Sequence, residues 1–117
     1  MADESTPISC KNTETRDWYA WIDTMPPGPN MLYVVGEAWA PNPGVEGFLV
    51  PSNPQGINPR ILLLDIHFYQ RPGIWPQVMT WIPVRYQRPV SGPKAYSDVT
   101  ILCEGDPIAQ IPVEIAS

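Results

Sequence analysis

Histidine, cysteine and charge are scarce in this chain: its 117 residues include one His, two Cys and 16% charged residues. Zinc requires several Cys or His ligands grouped together, and His67, Cys10 and Cys103 lie far apart in sequence, so no metal site is expected. Glu104 and Asp106 offer oxygens but lack the dense ligand loop that calcium needs, and they read as turn residues. No phosphate-cradling glycine loop, dinucleotide fingerprint or zinc-protease helix occurs, so no cofactor is expected. Two cysteines are too few for a disulfide framework and permit a single intramolecular bridge. The expectation is two reduced thiols, with Cys103 a small buried hydrophobe in phase with Val99 and Ile101, and Cys10 in a polar, mobile segment.

Basic charge is also in short supply. Seven Lys and Arg stand against twelve Asp and Glu, for a net charge of -5 and a pI near 4.6. The basic residues are scattered, and phosphate neutralisation needs them gathered on one face, so nucleic acid is excluded as a partner. The close pair Arg85 and Arg88 reads as solvated residues near a strand end. No apolar run approaches the length of a membrane span. The N-terminal residues lack the basic and apolar regions of a secretory signal, which makes the cytoplasm the default compartment.

Proline is what the chain has in excess. It contains 16 Pro and 8 Gly, yet 44% of it is hydrophobic, which a disordered proline-rich chain would not be. The prolines fall between apolar runs and punctuate short strands. Residues 1–16 are polar and without periodicity and read as a flexible arm, leaving 17–117 as one β-domain. Residues 17–25 fit either strand or helical spacing, and the abrupt stop at Pro26-Pro27-Gly28-Pro29 favours a strand. In 31–40, Tyr33, Val35 and Trp39 share one face, and Gly36 marks a bulge or a close approach. A turn at 41–44 and a return strand at 45–50 complete a hairpin. After the punctuated segments 51–59 and 88–93, strands at 95–103 and 108–116 form a last hairpin. Pro83 and Pro112 lack amide donors and place their strands at edges or bulges. About seven short strands and no helix predict an all-β, antiparallel β-sandwich of immunoglobulin- or fibronectin-III-like architecture.

The organising stretch is 60–87, read as two strands folded back on each other. Leu62, Leu64, Ile66 and Phe68 alternate as a core face, as do Val78, Thr80, Ile82, Val84 and Tyr86. The opposite face is also apolar. Ile61, Leu63, Tyr69, Met79 and Trp81, with Arg85, predict a covered surface: by another segment such as 51–59 or the Trp18 region, by a second copy in a homodimer, or by another protein. The expected function is therefore a non-catalytic interaction or assembly module. An alternative is a carbohydrate or small-ligand module in which Trp75, Trp81 and Tyr69 stack on the ligand, while Trp18 and Trp39 belong to the core. A third reading is a hydrolase built on Asp65 and His67, which share a strand face, with a serine from Ser91 or Ser97. No nucleophile elbow accompanies them, and the chain is not expected to be an enzyme.

Overall fold

The computed structural model describes residues 5–116. Eight strands carry the fold: β1 (Thr6–Ile8), β2 (Thr15–Asp23), β3 (Met31–Ala40), β4 (Val45–Pro51), β5 (Ile61–Gln70), β6 (Thr80–Pro89), β7 (Asp98–Cys103) and β8 (Asp106–Ala116). Hydrogen-bonded neighbours run β1-β5-β7-β8-β2-β3-β6, and β4 pairs with β5. Phe68, Tyr69 and Gln70 pair with both β1 and β4, so those two strands flank β5 on opposite edges. The sheet curls on itself into a half-barrel and encloses one core. At its open side β4 approaches β6, where Gly47 lies against the side chains of Val84 and Phe68.

Alternation explains the core. Leu62, Leu64, Ile66 and Phe68 of β5 and Val99, Ile101 and Cys103 of β7 are buried from one half of the sheet. Ala20 and Ile22 of β2, Leu32, Val34 and Ala38 of β3, and Ile82 and Val84 of β6 meet them from the other. Side chains two residues apart share a face, so each of these five strands presents one dry row inward and one row outward.

β8 links the two halves. From Asp106 to Pro112 it pairs antiparallel with β7, and from Val113 to Ala116 it pairs parallel with β2. Pro112, which has no N–H, falls at the change of partner, and the Val113 amide donates to the Ser97 carbonyl at 2.9 Å. Pro83 lies on β6, the terminal strand of the path, where a missing donor is tolerated.

Four expectations are corrected. The sheet is mixed, not antiparallel throughout, because β5–β7 and β2–β8 run parallel. Stretch 60–87 does not form a hairpin: β5 pairs with β1, β4 and β7, whereas β6 pairs along its whole length with β3. Alternation identifies which face of a strand is dry, but it is silent about which strand lies alongside. The segment 71–79 crosses between the halves, anchored by Trp75, whose ring covers Gly44 and whose Nε1 donates to the Arg71 carbonyl at 3.0 Å.

The other two corrections concern the N-terminal segment. Residues 6–16 are built into the fold, with β1 paired to β5 and Thr15 and Arg16 in β2; residues 1–4 of the expected arm lie outside the described residues. The cysteines are not free thiols. Cys10 and Cys103 form a disulfide with Cα atoms 5.9 Å apart, and both are buried. Sequence separation hid this pair, since only the parallel packing of β7 beside β5 brings residue 103 next to the segment that follows β1.

Candidate binding face

The outward row of β2, β3 and β6 gathers five aromatic side chains, Tyr19, Trp21, Tyr33, Trp39 and Trp81. Its register gives a grid: Trp21 beside Tyr33 beside Gln87, then Tyr19, Val35 and Arg85, then Arg16, Glu37 and Pro83, and last Trp39 beside Trp81. Cross-strand pairs of this kind are the unit of sheet stabilisation, and here they also place rings in contact. Trp21 and Tyr33 stack with centroids 5.1 Å apart, Tyr19 meets Trp21 at 5.3 Å, and Trp39 meets Trp81 at 4.9 Å.

A bulge places Arg16 on this face. Thr15 and Arg16 pair with Ala38 and Glu37, but the register resumes at Tyr19 opposite Val35, so Asp17 and Trp18 together face Gly36. Asp17 takes a left-handed backbone, φ 59°, at the irregularity. The extra residue reverses the phase of β2: Arg16 and Tyr19 both point outward, while Trp18 turns inward onto Gly36, where there is no room for a Cβ. Trp18 Nε1 donates to Thr15 Oγ1 at 2.9 Å, which satisfies the indole. The glycine thus serves the ring of the neighbouring strand.

Charge on the face is largely paired within it. Arg16 Nε donates to Glu37 Oε1 at 2.8 Å, and its guanidinium lies 3.8 Å from the centroid of the Trp81 ring. Tyr19 donates its hydroxyl to Glu114 Oε1 at 2.9 Å, and this bond to the carboxylate raises the phenol above its ordinary value of 10.0. What results is a broad surface of half-buried rings whose nearest ionic groups have partners. From Tyr33 to Trp39 along β3 it spans about 20 Å at the rise of a strand.

No protein-family model, curated protein or solved structure matches this chain.

The residues singled out from the sequence do not form one patch. Ile61, Leu63 and Tyr69 lie on the outer side of β5, whereas Trp81 and Arg85 lie on the outer side of β6 in the other half of the sheet, with Met79 in the segment leading to it. Leu63 is covered from within. Gln55 donates to its carbonyl at 2.9 Å and accepts from its amide at 2.8 Å, and the Ser52 amide donates to the same carbonyl at 2.9 Å. Tyr69 makes an edge contact with Phe48 of β4 at 5.8 Å. Trp75 is engaged by Gly44 and by the Arg71 guanidinium, 4.6 Å from its ring centroid. Of the three proposed stacking residues, Trp81 alone joins the aromatic grid. Tyr19, Trp21, Tyr33 and Trp39 were missed, and Trp39, expected in the core, points outward. The signal was present: Tyr19 and Trp21 run in antiphase to the buried Ala20 and Ile22, as Tyr33 and Trp39 do to Leu32, Val34 and Ala38.

Asp65 and His67 border an open depression of about 170 Å³ with Cys10, Glu104 and Gly105. The Asp65 carboxylate accepts from Ser52 Oγ at 2.6 Å. Ser97 is tied to the Arg60 carbonyl, about 20 Å from His67 along β5, and Ser91 shares that distant end with Pro59 and Tyr96. Neither serine reaches the imidazole. Cys10, Cys103 and Glu104 form the one cluster of metal-ligating side chains among the described residues, and as a disulfide its sulfurs do not ligate. Among the described residues no helix is long and apolar enough to cross a membrane.

Proposed function

We propose that this domain is a non-catalytic binding module, with the two-layer build of immunoglobulin-like domains, whose working surface is the outer face of β2, β3 and β6. Its ligand is an extended, uncharged carbohydrate. The observation that carries the reading is the gathering of Tyr19, Trp21, Tyr33, Trp39 and Trp81 on one sheet face with Arg16 and Glu37 already paired. Pyranose rings present flat C–H faces that stack on aromatic rings, and neighbouring hydroxyls take hydrogen bonds from groups such as Arg85 and Gln87 at the edge. A surface about 20 Å long suits an oligosaccharide better than a single sugar. The disulfide supports an oxidising location for the protein in place of the cytoplasm expected from the sequence.

Titration with neutral oligosaccharides, followed by tryptophan emission and calorimetry, tests this. Trp21→Ala and Trp81→Ala should each weaken binding by about 2 kcal/mol, roughly thirtyfold, whereas Trp75→Ala should leave affinity unchanged. Absence of binding across linear neutral glycans at millimolar concentration would end the proposal. A second reading rests on the same composition, because Tyr, Trp and Arg are the residue types enriched at protein interface centres. In that case the wild type sediments as a dimer, Trp21→Glu makes it a monomer, and glycans leave the emission unmoved.

A further inference from the structure

Away from the aromatic face, the end of the β1 segment meets the β7–β8 turn. Cys10 and Cys103 bring their sulfurs together there, and Glu104 follows directly in sequence. Glu104 and Gly105 both take left-handed backbone conformations, φ 50° and 90°, as the central residues of a tight hairpin turn do. That turn places the Glu104 carboxylate beside the sulfurs, so that all three donor atoms lie within 4.8 Å of one another. Two further contacts bracket the carboxylate: Ser9 Oγ donates to Oε2 at 3.4 Å, and Lys11 Nζ stands 3.6 Å from Oε1. The corner is open to solvent through a depression lined by Cys10, Lys11, Asn12, Thr13, Cys103 and Asp106.

We infer that reduction of Cys10–Cys103 converts this corner into a binding site for a soft divalent cation, with two thiolates and the Glu104 carboxylate as ligands and water in the fourth position. Disulfide sulfurs are poor donors, whereas thiolates select zinc-like cations over hard ones. A tetrahedral zinc with bonds of about 2.3 Å to sulfur needs its ligands about 3.8 Å apart. The two sulfurs must therefore separate, and the carboxylate, on an exposed turn, must close in only slightly. Charge also fits. The dication and Lys11 together balance two thiolates and one carboxylate. The two cysteines are 93 residues apart in sequence, so the fold, and not local chain geometry, assembles the donor set.

A phosphine reductant sets up the test. The phosphine attacks one sulfur, the S–S bond breaks with its electron pair going to the other, and water supplies the oxygen of the phosphine oxide and the two protons of the thiols. The cation then displaces those protons. The reduced full-length chain is titrated with cobalt(II), followed by thiolate-to-metal charge-transfer absorption and by the thermal midpoint, with zinc as competitor. The expected result is one equivalent bound at micromolar cobalt, a raised midpoint and displacement by zinc, with no such band in the oxidised chain. Cys103→Ser should abolish the band, and Glu104→Gln should weaken binding roughly tenfold while keeping it. If reduction unfolds the chain, refolding driven by cobalt or zinc supports the site, because only the native fold joins these ligands. A reduced chain that binds no cobalt, whether folded or unfolded, overturns the inference, as does equal binding by Cys103→Ser.

Discussion

Replacing both cysteines by alanine should cost this domain about as much stability as truncating one of its largest core side chains. The Cys10–Cys103 bond closes a loop with a sequence separation of 93 residues, nearly the whole chain. Cross-linking at that separation removes about 15.6 cal/mol/K of entropy from the unfolded ensemble, or about 4.6 kcal/mol at 25 °C. A chain of this length unfolds with an entropy of about 250 cal/mol/K near its midpoint, so the same difference corresponds to a drop of about 18 °C in Tm. Calorimetry of the oxidised wild type and of the Cys10→Ala/Cys103→Ala variant reads this directly. Urea titration supplies an independent check, because a chain freed of its cross-link exposes more surface on unfolding and its m-value should rise. Intact mass after alkylation without reduction confirms that the wild type carries no free thiol. A variant that melts within about 3 °C of wild type, with an unchanged m-value, would refute the reasoning that the bond acts by restraining the unfolded chain.

Gly36→Ala should destabilise the domain by about 1–3 kcal/mol in urea unfolding, because the new Cβ meets the rigid Trp18 ring; an unmoved midpoint would mean the ring is not seated there. Gln55→Ala should cost about 1 kcal/mol and speed hydrogen exchange at the Leu63 amide, which donates to Gln55 Oε1 at 2.8 Å. Unchanged exchange at that amide would show that the 51–59 segment does not cover β5. The Tyr19 phenol should titrate above 10.0 because the Glu114 carboxylate accepts its proton bond, and Glu114→Gln should bring it down, as read by phenolate absorbance with Tyr19→Phe as the reference. The sign follows from the unfolded chain ionising first. The Tyr19 contribution is complete below pH 10 and is lost as pH rises through the elevated folded value.

Much of the strand content was legible because period-two alternation is local. In β5 the buried row Leu62, Leu64, Ile66 and Phe68 reads straight off the sequence, and Val99, Ile101 and Cys103 of β7 do likewise. β2 was harder. Its bulge breaks the alternation between Arg16 and Tyr19, so Trp18 and Trp21 share no face in the fold even though their spacing mimics a helical stripe. The binding face was hidden for a related reason. Trp39 and Trp81 were assigned to different roles because they lie 42 positions apart, and only the β3–β6 register sets them side by side.

The amino-acid order by itself determined that this chain is all β, where β3, β4 and β5 begin and end to within a residue, and which row of β5 and of β7 is dry, since those properties depend on neighbours one to four residues away. Only the tertiary structure decided which strands lie alongside one another. The pairing of β6 with β3, the parallel placement of β7 beside β5 and the change of partner along β8 are long-range choices. The aromatic face and the joined cysteines both follow from those choices. A strand with one apolar row buries it equally well at several places in a curled sheet, and packing of the whole core selects among them.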